Sequence, residues 1–380
     1  MSRPCVLIAG GGTGGHVFPA VAVAEAIEAL AEVDVVFCGT ARGVESRVVP
    51  ARGWRLELLD VDPIKGGGPV RAVRGAFVAA AATARALALV RRLRPRAVLS
   101  VGGYAAGPVS LASAVLGVPL AVLEPNSVVG LANRILAPFA RRAYVAWEET
   151  AGAFRASARR VVGVPLRPGF GPRPYVVGSR RRVLVMGGSQ GAAALNERMP
   201  DAIALVGKVA GLEVLHQAGR DREEAVRAAY ARSDVGHVTV VAFIEDVAGA
   251  VSEADLVVAR AGASSLAEIT AIGRAAILVP FPHAADDHQA KNAQALGRAG
   301  GAVCLLQKAA DAARLATEIG RLLTDDRARV AMADASRALG RPMAAAEVAA
   351  DLLDLAGIER RPRGATNGAG RSHPSAQEAR

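Results

Sequence analysis

Aromatic residues are scarce in this chain of 380 residues, at 4% against 52% hydrophobic residues overall. That deficit excludes a core built on stacked rings. The abundance of small aliphatic residues instead fits parallel strands buried on both faces between helices. The length exceeds that of a usual single core, so two domains are expected. Cysteine is nearly absent too: Cys5, Cys38 and Cys304 lie in apolar, strand-like runs without metal-ligand spacing. A disulfide framework and a thiolate metal site are thereby excluded, leaving small core residues suited to a reducing compartment. The glycine loop after the first apolar run interrupts any signal-peptide h-region, so no secretory leader is expected.

Lysine is the next shortage, because only Lys65, Lys208, Lys291 and Lys308 among 46 basic residues are not arginine. The formal net charge of +11 therefore reflects a chain-wide arginine bias, and no nucleic-acid partner is inferred from it. Acid is missing altogether between Pro63 and Leu123, a stretch that holds Lys65 and seven arginines. Within it Val70, Val73 and Phe77 interleave with Arg71 and Arg74. This fits contact with an anionic membrane surface as well as it fits a solvated basic helix. The uncharged run from Ala97 to Leu123 has the length of a membrane span. Gly102, Gly103, Gly107, Pro108, Gly117 and Pro119 divide it instead into strand 97–101, helix 108–116 and strand 119–123.

What is present is a repeated strand, glycine loop and helix. Strand 4–9 leads into a helix over 16–31, and strand-like segments follow at 33–38, 55–59, 97–101, 119–123 and 143–146. A Pro-, Gly- and Arg-rich stretch between 163 and 182 marks a linker. A second set of strands comes at 182–186, 212–216, 237–241, 255–259, 275–279 and 302–305. The expectation is α/β with two Rossmann-like doubly wound parallel sheets. The domains are 1–163 and 164–341, followed by a final helix within 342–357 and a tail, 358–380, whose composition is that of disorder.

Glycine turns at the carboxyl ends of parallel strands lie where open α/β sheets bind ligands. The first, Gly10-Gly11-Gly12-Thr13-Gly14-Gly15, contains GxGxxG, but strand 2 ends Phe37-Cys38-Gly39-Thr40 without the acid that holds a dinucleotide ribose. NAD is therefore disfavoured, while the loop amides and helix N-terminus still suit a phosphate. His16 opens that helix, placed to donate to an anion or to act as a general base. The second turn is Gly102-Gly103-Tyr104 and the third Gly187-Gly188-Ser189-Gln190-Gly191. Neither glycine-loop unit carries a Walker lysine, which excludes ATP hydrolysis.

Further on, Arg260-Ala261-Gly262-Ala263-Ser264-Ser265-Leu266-Ala267-Glu268 runs from strand to helix with residues small enough to admit a diphosphate. Glu268, one turn in, suits ribose hydroxyls or simply the helix dipole. The stretch from His283 to Gln289 is rich in Asp and His but matches no standard metal-ligand set. It ranks first as a sugar-hydroxyl site, with Gln289 as donor and acceptor. Asp60-Val61-Asp62 is formally DxD and is read as incidental.

GGTGGHVFPA, GGYAAGP, EPN followed by GLANR, GGSQGA, FIEDV, RAGASSLAE and DDHQAKNA, in this order across residues 4–356, resemble the MurG family of peptidoglycan synthesis. The resemblance implies a GT-B architecture, two domains facing a cleft. It also implies inverting transfer of GlcNAc from UDP-GlcNAc to the C4 hydroxyl of the MurNAc of undecaprenyl-pyrophosphoryl-MurNAc-pentapeptide, converting lipid I to lipid II. By resemblance Ile244 meets uracil and Glu268 the ribose. Ser189, Ala263, Ser264, Ser265 and Leu266 meet the diphosphate, and Asn126, Arg167 and Gln289 the sugar and phosphate. Thr13, Gly14 and Gly15 close on the donor from the acceptor side. Gly12, with Thr13, Gly14, Gly15, Gly103 and Tyr104, would take the acceptor diphosphate, with His16 as general base. Leu123 and Val164 stand where a histidine and an asparagine are common in the family. No obligatory cofactor or metal is implied, since UDP-GlcNAc is a substrate. The implied setting is peripheral, on the cytoplasmic face of the bacterial plasma membrane. The implied partners are lipid I, the anionic inner leaflet and other cell-wall synthesis proteins, within cell shape and division. The rival readings are a transferase with another acceptor and a non-catalytic basic binder.

Overall fold

In a computed structural model, the structure describes residues 3–61, 69–103, 105–188, 191–207, 209–232 and 237–362, with 69–79 described for the backbone alone. The chain divides into two compact units: Met1–Arg167 together with the segment from Met343, and Pro168–Pro342. The division falls after Arg167, four residues beyond the boundary expected at 163/164.

The first unit runs β1 (Cys5–Gly10), α1 (Gly14–Leu30), β2 (Asp34–Gly39), α2 (Glu45–Val48), β3 (Arg55–Leu58), α3 (Pro69–Leu93), β4 (Ala97–Gly102), α4 (Ala106–Val115), β5 (Leu120–Glu124), α5 (Leu131–Leu136), β6 (Arg142–Val145), α6 (Glu148–Ala151) and β7 (Arg159–Val161). Its strands form one parallel sheet in the order β3-β2-β1-β4-β5-β6-β7. Alternate residues along β1 serve opposite faces, as a two-residue period requires. Val6 and Ile8 pack toward α1, while Leu7 and Ala9 pack in the cluster that includes Leu89 and Val109 of α3 and α4. β7 escapes the sequence reading because Arg159-Arg160-Val161 lacks an apolar run. As an edge strand it needs none.

The second unit runs β8 (Arg181–Met186), α7 (Ala193–Val206), β9 (Leu212–Gln217), α8 (Glu223–Ala231), β10 (His237–Val241), α9 (Val247–Glu253), β11 (Leu256–Ala259), α10 (Ala263–Ile272), β12 (Ala275–Leu278), α11 (His288–Arg298), β13 (Val303–Cys304), α12 (Ala312–Thr324) and α13 (Asp326–Ala338). Its parallel sheet has the order β10-β9-β8-β11-β12-β13. Val183, Val185 and Val258 share a core with Leu195 and Met199 of α7 and Leu315 and Leu322 of α12. The segment before β8 is fixed by Tyr175, whose hydroxyl donates to Asp255 Oδ1 at 2.5 Å and accepts from Arg329 Nε at 2.6 Å. Arg329 is fully buried, yet Leu322 O, Leu323 O and the Asp326 carboxylate satisfy it.

The last helix, α14 (Ala344–Ala356), belongs to the first unit. Val348, Leu352 and Leu353 enter the core beside α1. Asp351 accepts from Tyr144 Oη and Arg142 Nε, both at 2.8 Å. In both sheets the strand order reverses beside the first strand of the unit, so the switch points lie between β1 and β4 and between β8 and β11. Ligands of open α/β sheets bind at the carboxyl ends there.

Candidate functional site

In the first unit, the loops after β1 and β4 interlock through glycines that nothing larger could replace. A Cβ on Gly10 would lie 2.1 Å from Gly102 O, and one on Gly103 would lie 2.4 Å from Gly11 O. Gly11 N donates to Gly102 O at 3.1 Å. Above this junction His16 lies with Nδ1 3.3 Å from Thr13 Oγ1, and its Nε2 would be 3.1 Å from a Cβ on Gly102. Thr13, Gly14 and Gly15 form the start of α1, where no side chain caps the helix. Arg167 sets its guanidinium 5.3 Å from the centre of the Phe18 ring on that helix.

Two buried carboxylates organise these loops, and the sequence reading assigned neither. Glu45 accepts from Gly12 N at 2.7 Å, Thr40 N at 2.9 Å and Thr40 Oγ1 at 3.0 Å. The Gly12 amide, expected to be offered to an acceptor diphosphate, is thus already occupied. Glu124 accepts from Asn126 N and Nδ2, Gly130 N and Asn133 Nδ2 at 2.9 to 3.2 Å. Asn126 therefore retains its side-chain oxygen as acceptor toward a ligand. Tyr104, Ser189 and Gln190 lie outside the described residues, as do the side chains of Val70, Arg71, Val73, Arg74 and Phe77.

In the second unit, α10 begins at the switch point with Gly262 at its N-cap and no capping side chain. Ala263 and Leu266 are buried, Ser265 and Glu268 half-buried, and the Ser264 hydroxyl is buried with no hydrogen-bond partner. An unsatisfied buried hydroxyl beside free helix amides is the signature of a polar ligand's seat. Just before it, Arg260 donates to Val279 O and Pro280 O at 3.0 and 3.2 Å and stacks over Phe281 at 5.6 Å. Burial, then the nearby Arg198 charge, lowers its pKa. Arg260 is a cation that sequence reasoning passed over, although its place at the strand end was the signal available.

Ile244 is buried between β10 and α9, where Asp246 caps α9 by accepting from Gly249 N at 2.8 Å. Gln289 Oε1 accepts from Phe281 N at 3.0 Å, leaving its amine as donor. Before it, Asp286 and Asp287 adopt left-handed backbone angles, φ 52° and 54°. Among the described residues no group of three or more His, Cys, Asp or Glu is arranged to hold a metal.

Behind the third glycine loop, a Cβ on Gly191 would lie 2.1 Å from Ala218 O. Ala218 O also accepts from Asn196 Nδ2, while Asn196 Oδ1 and Tyr230 Oη flank the buried His216 ring at 3.1 and 3.0 Å. Burial lowers the His216 pKa to about 4. Burial likewise raises the Cys38 thiol to about 12 and Cys5 to about 11, which removes them as thiolate nucleophiles at neutral pH. An open cavity of about 720 Å³ at the other end of the first sheet is lined by Arg3, Arg92, Arg94 and Arg96 and contains none of these site residues.

Two doubly wound parallel sheets, each with glycine turns at its switch point, place the chain in the GT-B class of folds. The chain matches the Glycosyltransferase family 28 N-terminal domain over residues 6–145 and the C-terminal domain over residues 182–350. It is 57% identical over 358 residues to the UDP-N-acetylglucosamine–N-acetylmuramyl-(pentapeptide) pyrophosphoryl-undecaprenol N-acetylglucosamine transferase of Sorangium cellulosum, covering 92% of this chain and 88% of that one. It is 41% identical to the enzyme of the same name from Myxococcus xanthus, covering 92% of each. The crystal structure of Acinetobacter baumannii MurG superposes with a TM-score of 0.78 at 33% identity, covering 92% of this chain and 99% of that one. The chain belongs to glycosyltransferase family 28 and, within it, to the MurG family.

Proposed function

We propose that the protein transfers GlcNAc from UDP-GlcNAc to the C4 hydroxyl of the MurNAc of lipid I, giving lipid II with inversion. The observation that carries this reading is the start of α10, with its uncapped amides and the partnerless Ser264 hydroxyl at the switch point of the second sheet. It supports a diphosphate there, held by Ser264, Ser265 and the amides from Ala263 to Ser265, with Ser189 from the neighbouring turn, the Leu266 amide being taken by Gly262 O. Ile244 meets uracil through its backbone and Glu268 accepts from the ribose. Gln289 and Asn126 serve sugar hydroxyls, and Arg167 a phosphate.

The acceptor oxygen attacks the anomeric carbon opposite the departing UDP, through an oxocarbenium-like state. Charge developing on the leaving diphosphate is stabilised by preorganised amides and arginine. Residues 1–163 form the acceptor domain in this reading, and 164–341 the donor domain. His16 takes the hydroxyl proton, while Thr13, Gly14, Gly15, Gly103 and Tyr104 meet the acceptor diphosphate. No cofactor is obligatory in this reading, UDP-GlcNAc being a substrate.

Among the described residues no helix is long and apolar enough to cross a membrane. The lipid-linked acceptor is reached by peripheral contact with an anionic leaflet through Val70, Val73 and Phe77, flanked by Arg71 and Arg74. The deciding experiment is transfer of radiolabelled sugar to a lipid I analogue from UDP-GlcNAc, set against UDP-glucose and UDP-GalNAc. Transfer from UDP-GlcNAc is expected to dominate. Equal transfer from all three, or none to the analogue, would remove the assignment.

A further inference from the structure

We propose that Glu45 is a positioning residue: its carboxylate fills the anion seat of the first glycine loop and, through Gly12 and Thr13, fixes the ring of His16. The inference rests on the reading of His16 as the general base. Glu45 is 1% exposed and, among the described residues, forms no ion pair. Its oxygens are satisfied by the Gly12 amide on one side and by the Thr40 amide and hydroxyl on the other.

Three glycines make room for it. A Cβ on Gly11 would lie 2.3 Å from its Cδ, one on Gly39 2.4 Å from its Cγ, and one on Gly43 2.1 Å from its Oε2. So complete a cradle for one side chain is unlike the socket of a surface carboxylate. In it, a backbone amide that a dinucleotide-type loop would offer to phosphate is spent on the protein's own anion. An incoming diphosphate is left with the amides of Gly14 and Gly15 at the start of α1. The tether also reaches the chemistry: Gly12 precedes Thr13, whose hydroxyl lies beside His16 Nδ1 while the ring rests against Gly102.

Glu45→Gln isolates the role, because each oxygen of Glu45 accepts from a backbone N–H. Whichever way the amide is turned, its NH₂ faces a donor, and one anchor is lost at nearly constant volume. His16 is then followed in the full-length protein by heteronuclear NMR of the imidazoles, assigned with His16→Ala. The titration midpoint and tautomer balance of His16 should change in Glu45→Gln, while those of His283 and His288 stay in place. An unmoved His16 overturns the proposal.

Kinetics supply the second readout. Glu45→Gln should lower kcat with a lipid I analogue about 10- to 100-fold, the effect of a misplaced catalytic group, without changing the KM for UDP-GlcNAc. In a His16→Ala background the further loss should shrink to less than about 3-fold, and full additivity overturns the relay. If His16→Ala alone turns over normally, base catalysis by His16 fails, and the NMR titration still decides whether Glu45 sets the ring. Should Glu45→Gln not fold, Glu45→Asp, which keeps the charge and withdraws the oxygens, carries the same readouts.

Discussion

The two units present the same topological feature with different fillings of the loop before the helix. At the start of α1 the loop is already loaded, because Glu45 accepts from the Gly12 amide. Neither helix start carries a side-chain cap, but at α10 no carboxylate among the described residues occupies the preceding loop, and the Ser264 hydroxyl has no partner. Doubly wound folds place helix N-termini at their switch points regardless of use. The sequence that decorates the terminus decides whether it is scaffold or seat. A loop stiffened by an internal carboxylate suits the presentation of a catalytic side chain beside the few amides it leaves open, whereas a wholly unfilled loop and helix start suit an external anion alone.

That contrast predicts that charge is intolerable at the second terminus for functional reasons only. Ser265→Asp places a carboxylate in the first turn of α10, where the helix dipole favours it. Thermal stability should stay level or rise slightly. Like-charge juxtaposition with a bound diphosphate costs several kcal/mol, so the KM for UDP-GlcNAc should rise about 100-fold or more. Steady-state kinetics alongside a melting curve would show it. An unchanged KM would mean that α10 is not the diphosphate seat and would erase the distinction between the termini.

Much of this contrast was legible in the sequence, and its hidden half has a physical reason. Strands such as Val6–Ala9 and Val183–Met186 announce themselves because a strand buried on both faces must be apolar throughout. The turns are legible because positions such as Gly10 and Gly191 leave no space for a Cβ. Glu45 was not legible, because tertiary structure brings it the Gly12 amide from 33 residues away, and Glu124 was not, because its partners, though local, are gathered by an irregular loop that has no periodic pattern. In hindsight Gly39 and Gly43, both shortly before Glu45, were the trace of its cradle. β7 was missed for the opposite reason, since an edge strand is released from the apolar pattern.

The supports behind the loops differ as well, and pH separates them. The third glycine loop rests on Ala218, held through Asn196 to the neutral, buried His216. Its folded pKa of about 4 lies below the value near 6.5 of an unfolded histidine, so between these values the unfolded chain binds more protons. Stability contributed by neutral His216 is complete above about pH 6.5 and is lost as pH falls toward 4, by roughly 3 kcal/mol. Urea unfolding at pH 7.5 and 4.5 should show this loss in the wild type and a smaller one in His216→Gln. Identical pH dependence in both would remove His216 from the support of the second unit.

The finest test asks whether an uncapped helix start is itself informative. Elsewhere in the second unit α7, α8 and α11 also start without a side-chain cap, while two helices beside α9 are closed by aspartates: Asp311 accepts from Arg314 N at 2.8 Å on α12, and Asp325 from Ala328 N at 2.9 Å on α13. These caps serve stability alone. Asp311→Ala should therefore cost about 1 kcal/mol, the usual worth of an N-cap, and leave kcat and both KM values within error. Denaturant unfolding and the transfer assay on one preparation measure both. If Asp311→Ala weakened UDP-GlcNAc binding as strongly as a charge in α10, capped and uncapped termini would be equivalent in function. The loaded loop and the open seat would then be two accidents of packing rather than two assignments of labour.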